Sequence, residues 1–482
     1  MEKIVGFLNS VIWSPALVVL LVGAGLYFSL RTRFVQVRRF GLMVRSLFAP
    51  SQKTADGRRQ GISSFEAFCV ALSGRVGTGN IVGVATAIAL GGPGAVFWMW
   101  IIAFFGASTA FVESTLAQQY KFPHATGFRG GPACYIEKGL GRRWAGVLFA
   151  VLTIVGYGIL LTTVQANGVS GAMRNSLGIN PLVSGLGLAF LLGLVIIGGI
   201  RSISRVASIV TPFMALGYIV ITVIVIARHI DVVPGVLESI VTNAFGIQPV
   251  AGGILGSTIM MGVKRGIFSN EAGQGGGAIV SASAAVSHPA RQGLAQAFSV
   301  YVDTLLICTA TALMILCSGT YNILDAKTGE VLVAKAPELA DNYVGFTQAA
   351  VDSVLTGFGG TFVSIALVFF VFTTVMAYYF YGESSIMYIF AGRPERRKAE
   401  RAAIWAFRFA LLGMVVFGAV REAGVIWQLG DVGVGLTAWI NVIALLILCP
   451  QAIRALREYE DGVGPTRRNS RPSGRGQRPG KA

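Results

Sequence analysis

The residues best suited to hold a ligand form one short run, Ser73-Gly74-Arg75-Val76-Gly77-Thr78-Gly79-Asn80. It lies in the middle of a mostly apolar stretch, Gly61 to Leu90, that is long enough to cross a bilayer, for which roughly 20 residues suffice. Each glycine weakens a helix by about 1 kcal/mol relative to alanine, so the run predicts a membrane helix that comes apart at mid-depth. Amides and carbonyls freed there would each cost several kcal/mol if left in hydrocarbon, and they call for a polar occupant. Glycines that serve only close helix packing would not explain an arginine, a threonine and an asparagine beside them. Polar groups at such depth are functional by default.

A second interruption follows within the span 251–286, whose centre runs Gly262-Val263-Lys264-Arg265-Gly266-Ile267-Phe268-Ser269-Asn270-Glu271-Ala272-Gly273-Gln274-Gly275-Gly276-Gly277. The outer half-helix starting near Gly79 and Asn80 presents free amides and a positive dipole end, which suit a carboxylate. The outer half of the second span, expected to end near Lys264 to Gly266, offers orphan carbonyls to an ammonium or a metal cation. A zwitterionic amino acid satisfies both ends together.

The elements that must position these groups are membrane helices. Among the 482 residues 54% are hydrophobic and 13% charged, and the mean hydropathy is +0.67, which marks an integral membrane protein. The apolar runs lack the alternation of a membrane barrel. Eleven spans are read at 12–30, 62–90, 94–119, 144–173, 182–199, 206–228, 251–286, 294–318, 359–391, 402–420 and 433–451, the first taken as a retained helix. The net charge of +17 does not point to nucleic acid, because the basic residues gather in alternate loops. Arg31 to Arg59, the loop 120–143, the pair Arg201 and Arg205, Arg291 and the segment Arg393 to Arg401 fall on one side. That alternation predicts an external N-terminus and a cytoplasmic C-terminus for a multi-pass protein of the plasma (inner) membrane. The tail after Gly462, rich in Arg, Gly, Pro and Ser, is expected to be disordered, and Val344 to Leu355 to form an amphipathic helix on the outer surface. Five scattered cysteines, mostly in apolar runs, read as packing residues without a disulfide framework or metal site.

Setting the first helix aside, ten spans divide into five and five, each set opening on an interrupted span, and the two interrupted spans cross in opposite directions. The expected organisation is an N-terminal helix and basic linker (1–60), a first repeat (61–230), a second, inverted repeat (231–451) and a basic tail (452–482). Paired breaks in two inverted halves are the strongest sequence pointer to a transporter site.

At these residues the chain resembles the alanine or glycine:cation symporter family, sodium-coupled amino-acid carriers with the leucine-transporter fold. The resemblance runs from about Arg31 to Pro450. Its most specific words are ALSGRVGTGNIVGVATAIALGGPGAVFWMW, GVKRGIFSNEAGQG, SHPARQGLAQAFSVYVDTLLICTATALMIL and FTTVMAYYFYGE. It implies an all-α integral membrane protein of eleven transmembrane helices, a 5+5 inverted repeat preceded by one extra helix. It further implies import of a small neutral amino acid, alanine or glycine first, by alternating access, with sodium as the coupling ion and no other cofactor. Carried over residue by residue, Thr78, Gly79, Asn80, Gln165, Gly266, Phe268, Ser269, Asn270 and Glu271 resemble the substrate groups. The carbonyls of Ser73 and Val76, with the hydroxyls of Thr373 and Thr374, resemble a sodium site; without the resemblance, both threonines would bond carbonyls of their own helix. The chain departs from many members at Gln274-Gly275-Gly276-Gly277 and at Tyr378, where a Trp is common. Tyr378 shares a helix face with Thr374, so it joins the candidate substrate groups, and a different side-chain preference, such as serine or glutamine, or coupling to protons, is the alternative.

Glu113, Asp303 and Glu383 also lie inside apolar spans, with Arg75, Lys264, Arg265 and Arg408 at similar depth. A pair such as Arg75 with Glu271 would neutralise both charges. An enzyme is not expected. Gly168-Val169-Ser170-Gly171 looks like a serine-nucleophile pattern, but His124, His229 and His288 all fall in loops, away from any base role, and no phosphate loop is present. An ion channel is the remote rival, although chemically unlike, antiparallel breaks suit one alternately exposed site better.

Overall fold

The computed structural model describes residues 2–51, 61–125, 127–247, 255–326 and 328–463. Among them, eight helices are long and apolar enough to cross a membrane, and nine if the bent pair Ser64–Arg75 and Gly79–Gly91 counts as one span. Of the remaining expected spans, one is the short apolar helix Pro181–Ile196. The other is the pair Leu255–Asn270 and Gly276–Ala282, whose expected start at residues 251–254 lies outside the described residues.

Several boundaries differ from the sequence reading for tertiary reasons. The first helix begins at Glu2, runs to Ile12 and resumes at Pro15–Arg31. Trp13, at the join of the two parts, donates from Nε1 to Asp431 O at 2.8 Å. Arg201 and Arg205, expected in a loop, lie within the helix Gly199–Arg228. The last helix, Ala423–Val463, runs well past the expected end at 451. Glu460 there meets Arg38 and Arg39 at 2.7 Å each, so residues 452–463 are helical, whereas 464–482 lie outside the described residues. The helix Tyr343–Asp352 does not rest on the surface. Val344, Phe346, Thr347, Ala350 and Val351 are buried, packed on the long helix Gly359–Phe390. Two small hairpins, Phe122–His124 with Gly127–Arg129 and Asn322–Leu324 with Val331–Ala334, complete the loops.

Both interrupted helices form for local reasons. Ser63 and Glu66 make a capping box: Ser63 Oγ accepts from Glu66 N at 3.1 Å and Ser63 N donates to Glu66 Oε2 at 2.6 Å, which starts the helix Ser64–Arg75. Val76, at ψ 91°, ends it, and the chain resumes at Gly79 with a bend of 51°. In the second broken helix the interruption comes later than expected. Lys264 and Arg265 stay in the helix, which continues to Asn270, because Asp431 faces them at 2.7 and 2.5 Å. The break follows at Glu271, Gly273 and Gly275, with φ of +54°, +85° and +95°, left-handed values that stop a helix.

The two broken helices lie antiparallel and are stitched at both ends. Ile62 N donates to Ser283 O at 3.1 Å and Ala285 N to Ile62 O at 2.9 Å. At the far end Thr258 Oγ1 donates to Gly91 O at 2.8 Å. Three π-helical turns, Gly79–Gly83, Gly156–Leu161 and Tyr301–Cys308, surround the breaks; such turns occur preferentially at functional sites.

Candidate functional site

The first cluster is made of oxygens. Thr374 Oγ1 lies 2.8 Å from Ser73 O, 3.0 Å from Val76 O and 2.8 Å from Phe370 O. One hydroxyl carries one proton, so it cannot satisfy three carbonyls at once, and a cation among them would. Thr373 Oγ1 is 3.0 Å from the same Phe370 O and 3.1 Å from Phe369 O. It therefore reaches the cluster through Phe370 rather than by facing Ser73 or Val76. All of these residues except Phe369 are buried.

Directly beside the oxygens lies an amide site. Thr78 N and Thr78 Oγ1 both donate to Gln165 Oε1, at 2.9 and 3.1 Å, and Gln165 Nε2 reaches Tyr378 OH at 3.5 Å. Gly77 packs so closely that a Cβ there would stand 2.6 Å from Gln165 Oε1 and 2.8 Å from Thr374 Oγ1. Only glycine lets Gln165 and Thr374 approach the same backbone. A Cβ on Gly79 would meet Phe268 Cδ1 at 3.1 Å and the Ser269 backbone at 3.3 Å, so Gly79 brings the two breaks together.

Asn80 and Ser269 both turn toward one carboxylate. Asn80 Nδ2 donates to Asp303 Oδ1 at 2.7 Å and Ser269 Oγ donates to Asp303 Oδ2 at 2.8 Å, while Asn80 Oδ1 accepts from Gly77 N at 2.8 Å. Below them, Tyr157 makes edge contacts with Tyr378 and Tyr381, ring centroids 5.1 and 4.9 Å apart. Its hydroxyl donates to Gln274 Oε1 at 3.2 Å. Glu271 Oε2 accepts from Tyr381 OH at 3.2 Å, so this candidate belongs with the tyrosines.

Two candidates do not join the site. A Cβ on Gly266 would stand 2.4 Å from Ile102 Cγ2, which makes Gly266 a packing glycine against the helix Gly94–Gln119. Asn270 organises the break itself, Oδ1 accepting from Ala272 N at 3.0 Å and its carbonyl accepting from Arg75 Nε at 2.6 Å. Arg75 does not pair with Glu271. Its guanidinium also donates to Gln296 Oε1 at 3.2 Å and to Ser299 Oγ. The other charges at depth fall into Arg129 with Glu383, 3.8 Å apart, Arg408 donating to Tyr379 OH at 2.7 Å, and Asp431 with Lys264 and Arg265. Glu113 Oε2 accepts from Asn441 Nδ2 at 3.1 Å. Ser170 donates to Ala419 O at 2.7 Å and is a helix-packing group rather than a nucleophile.

A cavity of about 990 Å³ descends toward the site, lined by Asp341, Arg421, Lys264, Arg265, Trp427 and Asp431 among others. Phe268 stacks on the cavity-lining Trp427, centroids 5.3 Å apart, while Thr78, Asn80 and Ser269 are buried.

The architecture has a solved counterpart. The crystal structure of MhsT in complex with L-phenylalanine aligns over 83% of this chain and 99% of its own, with a TM-score of 0.56 at 14% identity, a likeness of fold alone. Residues 1–471 match the model of the sodium:alanine symporter family. The chain belongs to the sodium:alanine symporter family. A relative from Bacillus sp. (strain PS3), the "Sodium/proton-dependent alanine carrier protein", is 45% identical over 83% of this chain and 88% of its own. Another from Bacillus subtilis (strain 168), the "Probable sodium/glutamine symporter GlnT", is 44% identical over 95% and 91%. This member of the family is thus a multi-pass membrane carrier and not an enzyme.

The candidate site in this symporter also brings in groups the sequence did not single out: Phe370, Tyr157, Tyr381, and Asp303, noted only as a charge at depth. A backbone carbonyl such as Phe370 O carries no side-chain signature, although its place three and four residues before a Thr-Thr pair would have pointed to it. Asp303 and Tyr157 sit on π-turns, which no apolar periodicity reveals.

Proposed function

We propose that this protein imports a small neutral amino acid, alanine or glycine first, together with sodium, by alternating access. Three carbonyls, of Ser73, Val76 and Phe370, each within 3.0 Å of the one Thr374 hydroxyl, are the observation that carries the reading. Sodium prefers oxygen ligands, and a broken backbone supplies carbonyls with little side-chain rearrangement. The ion would tie the first broken helix to Gly359–Phe390 and so complete the adjoining pocket at Gly77, Thr78, Gly79, Gln165, Phe268 and Tyr378. The amino-acid carboxylate would meet the amides at the first break, and its ammonium the carbonyls of the second. Parting of Phe268 from Trp427 would open that pocket to the cavity. One charge entering down a potential supplies about 2.3 kcal/mol per 100 mV, enough for roughly 50-fold accumulation. The names of the relatives support alanine, and one of them keeps glutamine as the second reading.

The experiment is uptake of labelled alanine by the purified protein in liposomes under an imposed sodium gradient, with a panel of competing amino acids. Saturable, sodium-dependent uptake is expected. Flux that neither saturates nor responds to sodium would refute the proposal.

A further inference from the structure

We infer that the cavity holds a receiving site for the carboxylate of an incoming amino acid, formed by Arg265 at its inner end. The inference rests on the transport reading above and gives it a place where the substrate is held before it reaches the first break.

Arg265 lines the cavity and is only 3% exposed. Its Nη2 donates to Asp431 Oδ1, whereas Nε and Nη1 are buried and, among the described residues, have no acceptor. A guanidinium carries five N–H donors in a fixed fork, and burying some of them unmet is costly. The side chain is held in place on several sides. A Cβ on Gly83 would lie 3.9 Å from Arg265 Cδ, so the stem runs against the π-turn Gly79–Gly83 of the first broken helix. The guanidinium carbon stands 5.3 Å from the ring centroids of both Phe268 and Trp427, which stack on each other. The rings that flank the free donors are therefore the two whose parting opens the pocket in the transport reading. One movement admits the amino acid and uncovers the donors.

The charges point the same way. Asp431 is shared between Arg265 and Lys264, whose Nζ lies 2.7 Å from Asp431 Oδ2. The other partner of Lys264 Nζ is the neutral Asn9 Oδ1 at 3.0 Å. Two cations on one carboxylate leave one positive charge in excess. Elsewhere on the cavity wall Arg174 and Arg421 are matched in number by Asp341 and Glu422, so the excess belongs to the inner end. One carboxylate would neutralise it and accept charge-assisted hydrogen bonds from the free donors, while a cationic solute would meet repulsion there. At about 990 Å³ the cavity admits a whole small amino acid, and Asp341 and Glu422 offer partners for its ammonium. The route onward is short, because Gly83 abuts Arg265 and Gly79 abuts Phe268. The carboxylate passes from the guanidinium to the amides of the first break.

The test uses the full chain in liposomes, with uptake of labelled alanine under a sodium gradient. Two competitors serve as probes: N-acetylalanine keeps the carboxylate and lacks the ammonium, and alaninamide keeps the ammonium and lacks the carboxylate. In wild type N-acetylalanine should inhibit competitively, and alaninamide at the same concentration should inhibit much less. Arg265→Gln leaves Lys264 and Asp431 as a neutral pair, so the fold should persist. In that variant the half-saturating alanine concentration should rise, and the inhibition constant of N-acetylalanine should rise by about tenfold or more. Arg265→Lys, which keeps the charge and loses the fork, should fall between the two. If Arg265→Gln does not fold, the wild-type comparison of the two probes and a raised inhibition constant in Arg265→Lys must still hold. N-acetylalanine that leaves wild type unaffected, or inhibits Arg265→Gln as strongly as wild type, would overturn the site. Equal inhibition of wild type by alaninamide would overturn recognition of the carboxylate. Each of these results, obtained with sodium-coupled alanine uptake intact, leaves the transport reading standing; no sodium-coupled uptake at all would sink that reading and this inference with it.

Discussion

Replacing Thr374 by valine keeps the shape of the side chain and removes the one side-chain oxygen of the proposed cation site. The hydroxyl lies within 3.0 Å of Ser73 O, Val76 O and Phe370 O, so in the absence of an ion it satisfies only one of them. Its loss should therefore affect the sodium-free protein modestly. With sodium bound, the hydroxyl contacts a charge, and such contacts contribute about 1.5–3 kcal/mol, which corresponds to roughly 10- to 150-fold in affinity. The assay is alanine uptake in liposomes as a function of external sodium at fixed alanine. Thr374→Val should raise the half-saturating sodium concentration by that factor, whereas Thr374→Ser, which keeps the oxygen, should remain near wild type. A valine variant with wild-type sodium dependence would refute the oxygen cluster as the ion site. Equal losses in the valine and serine variants would point to packing in place of coordination.

Other outcomes follow from the same geometry. Gly77→Ala places a methyl 2.6 Å from Gln165 Oε1 and 2.8 Å from Thr374 Oγ1; overpacking of about 1–3 kcal/mol should depress both alanine and sodium affinity, measured as two separate half-saturation curves. Asn80→Ala should abolish coupled uptake while leaving the protein in the membrane, checked by uptake beside a membrane-fraction immunoblot. Tyr378→Trp should narrow the pocket that Tyr157 and Gln165 share with it and move preference toward glycine, seen in competition against labelled substrate. Asp431→Asn leaves Lys264 and Arg265 without their carboxylate. Breaking a buried pair costs roughly 3–5 kcal/mol, and the adjoining cavity should keep the effect at the low end, read as a lower melting temperature in detergent.

Much of the site was legible because it rests on local chemistry. Glycine density inside an apolar run locates each break, and Ser63 with Glu66 announces the helix start. Yet the break of the second helix lies at Glu271 to Gly275, not at Lys264 to Gly266, because Asp431, far along the chain, holds Lys264 and Arg265 in the helix. Gly266 and Gly77 look alike as letters, but one packs on Ile102 and the other opens onto Gln165 and Thr374. Thr373 and Thr374 are adjacent, yet only Thr374 faces the first break, since neighbouring residues on a helix point about a hundred degrees apart.

Hydrophobic length, glycine placement and family motifs determined that this chain is a membrane carrier with two interrupted helices, because those properties act over a few residues and need no partner. The packing of distant helices decided which oxygens converge: Phe370 O with Ser73 O and Val76 O, and Asp303 with Ser269 and Asn80. Backbone carbonyls are the same in every residue and π-turns leave no periodic trace, so only the assembled helices distinguish a carbonyl that lines a site from one that closes a helix.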